Sequence, residues 1–493
     1  MKQAVNPFLP LDTYIPDGEP HVFGDRVYLF GSHDAEDGDT FCMLGYEIFS
    51  APVDDLGNWS SKGINYEAKQ DPLYSETLPY MYAPDCVRGN DGRYYLYYCM
   101  AGWRGKGCYS NPVSVAVCDT PDGKYEYLGV VRNPDGTPMT RYACFDPAVI
   151  NDNGTIRLYY GTSAPWIEWM PIKALRIPAM AATFGRTKEQ LRAVPEGITG
   201  SYHVTLSDDM LTATSSPVRI DNSISGSDYK KHRFFEGSSI RKVGEKYYFI
   251  YSSVNNHELC YAVSERPDGG FRYGGTIVSN GDIFLNGRKP KDRINSTGTN
   301  HGSIERVNGQ WYVFYHRVTH NSDYSRQACA EKITILPDGF IPQVEITSCG
   351  LNGRPLMPGR YPAVICCNLT NGKMLHTGNS KKKSAQPHVM SGSGERFIAS
   401  VSDGTRIGYK YFTFNDSYTL TVRSRGEGGG LLLVSTAPEG PALAELSMQG
   451  STAWTEQSCT LPPLHGTLPL HLRYQGKGTV ELLEIELTQT EGL

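Results

Sequence analysis

Five times along the chain a polar turn runs into a short strand of alternating aromatic and apolar residues. The copies are GDRVYLFGS at 24–32, DGRYYLYYC at 91–99, NGTIRLYYG at 153–161, GEKYYFIYS at 244–252 and NGQWYVFYH at 308–316. Alternation of this kind predicts a strand with one buried face. Aligned on their centres, the copies bring Tyr28, Tyr95, Arg157, Tyr248 and Tyr312 into register. Between them lie further short strands separated by Gly, Asn, Asp and Pro turns, as in SVAVCDTPDGKYEYLG at 114–129. Helical periodicity is scarce. Each interval is long enough for one supersecondary unit, and four-stranded sheets repeated about an axis protect their edges. The prediction is an all-β chain built on a five-bladed β-propeller. The longest interval holds an insertion at roughly 164–200, with Trp166 and Trp169 directly after a strand. It reads either as a loop walling a sugar site or as an apolar plug between blades.

After the fifth copy the pattern changes. Residues 366–395 are polar and rich in Ser, Lys and Gly, and Lys381-Lys382-Lys383 reads as a solvated turn. Alternating strands follow at 410–414, 418–424, 431–435, 468–474 and 479–487. Several short strands with turns between them predict a β-sandwich. The expected division is therefore 1–345 for the propeller and 346–493 for the sandwich. A length of 493 residues agrees, because single cores stop growing well below it.

Composition narrows the function. A net charge of −5 gives no reason to expect nucleic acid or an anionic membrane as partner. Tyr contributes 32 residues, and its ring and hydroxyl together suit a β protein that handles polar ligands. No run of about 18 apolar residues predicts a transmembrane helix. The start of the chain lacks the apolar core of a signal peptide, so the expected location is cytoplasmic. The twelve cysteines show no zinc spacing, and Cys42, Cys86, Cys99, Cys118 and Cys144 read as free thiols in apolar strands. His21 and His33 stand too isolated to suggest a metal-dependent enzyme. Oligomeric state is left open.

The chemistry sits ahead of the aromatic strands. Counting back ten to twelve residues from the register positions gives Asp17, Asp85, Asp146, Glu236 and His301. Each stands near Gly or Pro at the start of an alternating segment. If those segments are the innermost strands, five blades aim five such groups at one volume. Clustered buried carboxylates repel, so a fold that gathers them is using them. Two carboxyl groups flanking a glycosidic bond are the usual machinery of glycoside hydrolysis. Phe234-Phe235-Glu236 offers the apolar setting of a protonated acid, and Asp17 suits an ionised base. Asp146 suits a carboxylate that raises the pKa of Glu236. A rival from another class is a non-catalytic carbohydrate-binding propeller, which would lack the acid or the base.

The motifs IPDGEPHVF, YAPD, FDPAVINDNG, FFEGSSIRK and GTNHGSIE resemble glycoside hydrolase family 43, the five-bladed propeller arabinofuranosidases, xylosidases and arabinanases. The resemblance covers roughly residues 5–345. It implies Asp17 as general base, Asp146 as the tuning and orienting carboxylate and Glu236 as general acid. It also implies inversion of the anomeric centre. His301 matches an axial histidine that commonly sits beside a calcium ion or a water cluster. Asp85, Tyr82, Trp103, Trp166 and Arg326 are the expected substrate contacts. The implied function is release of terminal α-L-arabinofuranosyl units from arabinoxylan-derived oligosaccharides, with β-xylosidase or dual activity as the alternative. No organic cofactor is implied. The chain has Asp17-Gly18 where the family more often has Asp-Pro, and Tyr82 where it more often has Trp. The carboxy-terminal part resembles the family 6 carbohydrate-binding modules, with Trp454, Tyr409 and Tyr411 as candidate stacking residues.

Overall fold

A computed structural model describes residues 2–376 and 385–490; the Lys381-Lys382-Lys383 turn lies outside them. The first part of the chain forms five antiparallel sheets in sequence order. Their first strands are Glu19–Phe23, Tyr80–Arg88, Ala148–Asp152, Phe234–Val243 and Ser303–Val307. These pack against one another in turn around an axis, and the last returns to the first. The aromatic repeats are the second strands of the same sheets. Their rings fill the seams between blades, where Tyr97, Tyr98, Tyr159, Tyr160, Tyr248 and Tyr251 are fully buried. Among the described residues no helix is long and apolar enough to cross a membrane, which says nothing about β-barrels.

Four blades have four strands and the fifth has three. The amino-terminal segment covers the open edge of that last sheet. Phe8 N donates to Ala328 O at 3.2 Å, and Asn6 exchanges side-chain bonds with the backbone of Ala330 at 2.9 and 3.0 Å. Gly18 bridges Gly302 in parallel, so the first and last blades meet next to Asp17. A Cβ at Gly302 would lie 2.0 Å from Phe314 O of the neighbouring strand in the fifth blade, so only glycine fits at this position.

Arg157, which breaks the aromatic register, has a partner of its own. Its Nε donates to Asp152 Oδ2 at 2.9 Å, and Asp152 also takes bonds from Lys242 and Tyr247 of the fourth blade. The exception is thus an ionic tie between blades. The insertion folds into short helices, the longest being Arg176–Phe184. Ile167, Phe184, Leu191 and Val194 are buried against the third blade, while Trp166 and Trp169 remain exposed. The plug reading fits these four buried residues and not the tryptophans. All twelve cysteines are free thiols.

The carboxy-terminal strands pair into a six-stranded and a five-stranded sheet around one apolar core. The two parts of the chain are tied at several points. Lys410 Nζ, buried in the sandwich, lies 2.8 Å from Glu345 and 3.4 Å from Asp282. Arg317 Nη1 donates to Cys366 O at 3.1 Å.

Candidate active site

The starts of the first strands meet at one mouth of the propeller, around a cavity of 290 Å³. Asp17, Asp146, Glu236, His301, Arg326 and Tyr82 line it, together with Phe41, Tyr109, Phe145 and Phe235. Asp17 and Asp146 both have left-handed backbone, with φ of 59° and 43°. Asp tolerates that conformation better than most residues, and strain of this kind gathers at functional sites. The turn it produces lifts each carboxyl off the strand and into the mouth.

Asp17 is held as an anion. Arg326 Nη1 donates to both of its oxygens, at 2.9 and 3.2 Å. Burial pushes the Asp17 carboxyl up, but the guanidinium opposes it and holds the group below the usual carboxylate range. Arg326 is itself clamped from the other side, since Asp34 accepts its Nε at 2.8 Å and its Nη2 at 3.0 Å. Asp17 N–H donates to His316 Nδ1 at 3.2 Å, which leaves the ring proton on Nε2, facing Thr299 Oγ1 at 3.1 Å. Burial drives the His316 pKa down to about 3, so this ring is neutral.

Glu236 is in the opposite state. Burial and then the nearby Asp17 charge raise its pKa to about 8, against a smaller pull from Arg326. Asp146 is raised by burial and then by Glu236 and Asp17. The two carboxyls therefore hold a proton between them near neutral pH. Gly237 N–H donates to Asp146 Oδ2 at 2.9 Å, which favours the anion there and offsets part of that rise. Gly237 has φ of 69°, and a Cβ on it would stand 3.1 Å from the His301 ring. His301 Nδ1 lies 3.6 Å from Asp17 Oδ1 and 3.9 Å from Asp146 Oδ2, between the two carboxylates.

Three expected contacts fall elsewhere. Asp85 does not line the cavity. A register shift between Tyr82 and Asp85 sinks it into the axis, fully buried. There it accepts from His21 Nε2 at 2.6 Å, Cys86 N at 2.7 Å and Val149 N at 2.7 Å, and so joins three blades. Trp103 and Trp166 are rim residues outside the cavity wall, each more than 40% exposed (52% and 44%). Trp103 stacks on Arg104, with Cζ 4.4 Å from its ring, and Trp166 meets Phe235 edge-on at 6.0 Å. Their neighbours, Arg104 and Phe235, form the wall.

The residues around His301 do not make the calcium site expected there. Calcium takes six to eight oxygen ligands. The two carboxylates nearest His301 are already engaged, one by Arg326 and one by Gly237 N–H. Among the described residues, ligand spacing occurs in Glu19/His21/Asp85 and in His232/Glu258/Cys260, and His301 belongs to neither. His21 is thus less isolated than its sequence position implies. Beside the first group, Arg241 Nη2 donates to Glu19 Oε2 at 2.8 Å, and its Nε lies 3.5 Å from Glu305. A guanidinium supplies the positive charge on the axis.

A propeller that gathers an arginine-held carboxylate, a protonated glutamic acid and a third carboxyl in one pocket has the equipment of a glycoside hydrolase. The sequence model of the glycosyl hydrolases family 43 matches residues 5–341, and the chain belongs to that family. It is 41% identical over 504 residues to a xylosidase/arabinosidase of Thermoclostridium stercorarium, covering 99% of both chains. Among solved structures it is similar to a family 43 enzyme from Xanthomonas citri complexed with xylose. That match has TM-score 0.52 and 22% identity, and covers 72% of this chain and 96% of the other. It is also similar to a β-xylosidase/α-arabinofuranosidase from a compost microbial metagenome, solved with xylotriose in a calcium-free form. Here the TM-score is 0.50 at 25% identity, over 70% of this chain and 98% of the other.

Proposed function

We propose that the protein is an inverting, exo-acting glycosidase that removes terminal α-L-arabinofuranosyl units from arabinoxylan-derived oligosaccharides. The observation that carries this reading is the geometry of one pocket, in which Arg326 grips both oxygens of Asp17 and Glu236 lines the same cavity beside Phe145, Phe235 and Tyr109, a setting that suits an ionised base and a protonated acid. Glu236 gives its proton to the leaving oxygen. Asp17 takes a proton from a water molecule that attacks the anomeric carbon from the opposite face. Asp146 keeps the proton on Glu236 until it is needed and returns to the same role after turnover. No step runs through a cation.

A cavity of 290 Å³ suits a terminal sugar better than the interior of a polymer. Tyr82 Oη is buried in its wall without a hydrogen-bond partner among the described residues, which suits a bond to a sugar hydroxyl. The exposed faces of Trp103 and Trp166 suit the leaving-group side. β-Xylosidase or dual activity is the second reading. It is favoured by the Thermoclostridium stercorarium relative, which is named for both activities.

A panel of nitrophenyl α-L-arabinofuranoside, nitrophenyl β-D-xyloside, arabinoxylo-oligosaccharides and linear arabinan tests the substrate. The arabinofuranoside is expected to turn over fastest; activity confined to arabinan would reject an exo-acting enzyme of arabinoxylan. On the best substrate, kcat/KM is expected to fall on the alkaline side with an apparent pKa of about 8, as Glu236 loses its proton. A flat profile to pH 10 would contradict the assignment of the acid.

A further inference from the structure

The three aromatic residues expected to bind sugar in the carboxy-terminal domain are all engaged. Tyr409 is buried and donates to Ala363 O at 3.0 Å, and Tyr411 donates to Glu345 Oε2 at 2.6 Å. The Trp454 ring faces Arg425, whose Cζ is 4.2 Å away, and meets Phe397 at 5.5 Å. Its Nε1 donates to Glu395 at 2.6 Å. Tyr409 offers no stacking face, whereas Tyr411 and Trp454 are half-buried with their polar ends engaged. The sheet that carries Trp454, however, reaches the active-site rim.

Residues 33–42 run from the first blade to the cavity without any strand. Phe41 and Cys42, at the end of this stretch, line the cavity, and Asp34, near its start, clamps Arg326. Phe41 also covers the Arg326 guanidinium at 4.7 Å and meets Tyr324 edge-on at 4.6 Å. A stretch without a hydrogen-bonded ladder keeps one shape only if its side chains are tied down. The fifth blade ties one side, through Asp37 N–H to Ser325 Oγ at 2.8 Å and Ser322 Oγ to Gly38 O at 3.3 Å.

The other side is tied through Glu36. Tyr14 Oη donates to Glu36 Oε1 at 2.6 Å and packs edge-on against His320. The remaining partners of Glu36 come from the sandwich. Arg396 reaches it as a fork, Nε to Oε1 at 3.1 Å and Nη2 to Oε2 at 2.8 Å, and Ser391 Oγ donates to Oε1 as well. Both residues lie on the hairpin His388–Gly392 and Glu395–Val401. That hairpin is anchored to the fifth blade by Val389 N–H to Thr319 O at 2.9 Å, next to His320. A two-bond guanidinium–carboxylate fork fixes orientation as well as distance.

We infer that the carboxy-terminal domain is a buttress of the active site: Ser391 and Arg396 fix Glu36, and through it the 33–42 segment that sets Asp34 and Phe41 around Arg326. They are positioning residues, and their effect on turnover rests on the glycosidase reading above. The test uses the full-length chain with Arg396→Glu, Glu36→Arg and the double exchange, read by hydrogen exchange of the 33–42 amides and by steady-state kinetics. Arg396→Glu is expected to speed exchange in 33–42 while the inner strands stay protected. KM should rise about tenfold with kcat changed less, because the wall moves and the acid and base stay in place. The double exchange is expected to recover both readouts. Unchanged exchange in 33–42 would overturn the proposal, and so would faster exchange with unaltered kinetics. Should the wild-type protein hydrolyse no glycoside, the glycosidase reading fails and hydrogen exchange alone still decides whether the buttress exists.

Discussion

Glu236→Gln is expected to lose about 10²- to 10⁴-fold in kcat on an arabinoxylo-oligosaccharide while the protein stays folded. Gln keeps the shape of the side chain and removes the proton that the leaving oxygen needs. A nitrophenyl glycoside should suffer less, because its leaving group departs without protonation. The same substitution has a thermal signature of opposite sign. The folded-state pKa of Glu236 is about 8, well above its value in the unfolded chain, so the native state keeps a proton that the unfolded state releases. That contribution to stability is complete below the unfolded value and is lost as pH rises towards 8. Gln has nothing to lose over that window. The variant should therefore melt progressively higher than the wild type between pH 5 and 8. Near-normal hydrolysis of the oligosaccharide would remove Glu236 from the role of acid.

Arg326→Ala is expected to have the largest effect on stability. The guanidinium is buried between Asp17 and Asp34 and bonds both. Removing one partner of a buried ion pair costs about 3–5 kcal/mol, because the other charge is left without compensation. Here two carboxylates lose their cation together. Asp17 then rises towards the usual carboxyl range or above it, since burial loses its largest opponent. The acid limb of the activity profile should move to higher pH as Tm falls. Arg326→Lys restores the charge without the fork, and should recover part of the stability and little of the activity. An Ala variant with wild-type Tm and an unmoved acid limb would show that the clamp does not hold Asp17.

Much of this site is legible in the five-fold pattern. The start of each first strand supplied Asp17, Asp146 and His301 just ahead of it and Glu236 just inside it, and all four line the cavity. The same count placed Asp85 there as well, and it sits in the axis, because a register shift cannot be seen in residue spacing. The last position of each aromatic repeat carried a second signal. In the fifth copy it is His316, which receives the Asp17 N–H, and in the fourth it is Ser252, which donates to the backbone of Asn300 beside His301. Strands that run antiparallel to the first ones end at the same mouth, so polar residues closing those repeats could have been read as part of the site. Asp34, Phe41 and Tyr109 come from loops with no periodicity, and only the fold brings them to Arg326 and Glu236. The link from Arg396 to Glu36 spans two domains and is invisible in either alone.

The central claim is that Asp17 activates water opposite Glu236, and the stereochemistry of the product tests it most directly. NMR of the first-formed sugar, recorded before mutarotation, is predicted to show the anomer opposite in configuration to the substrate. A retained anomer would mean a covalent intermediate and would contradict the assignment of Asp17 as base.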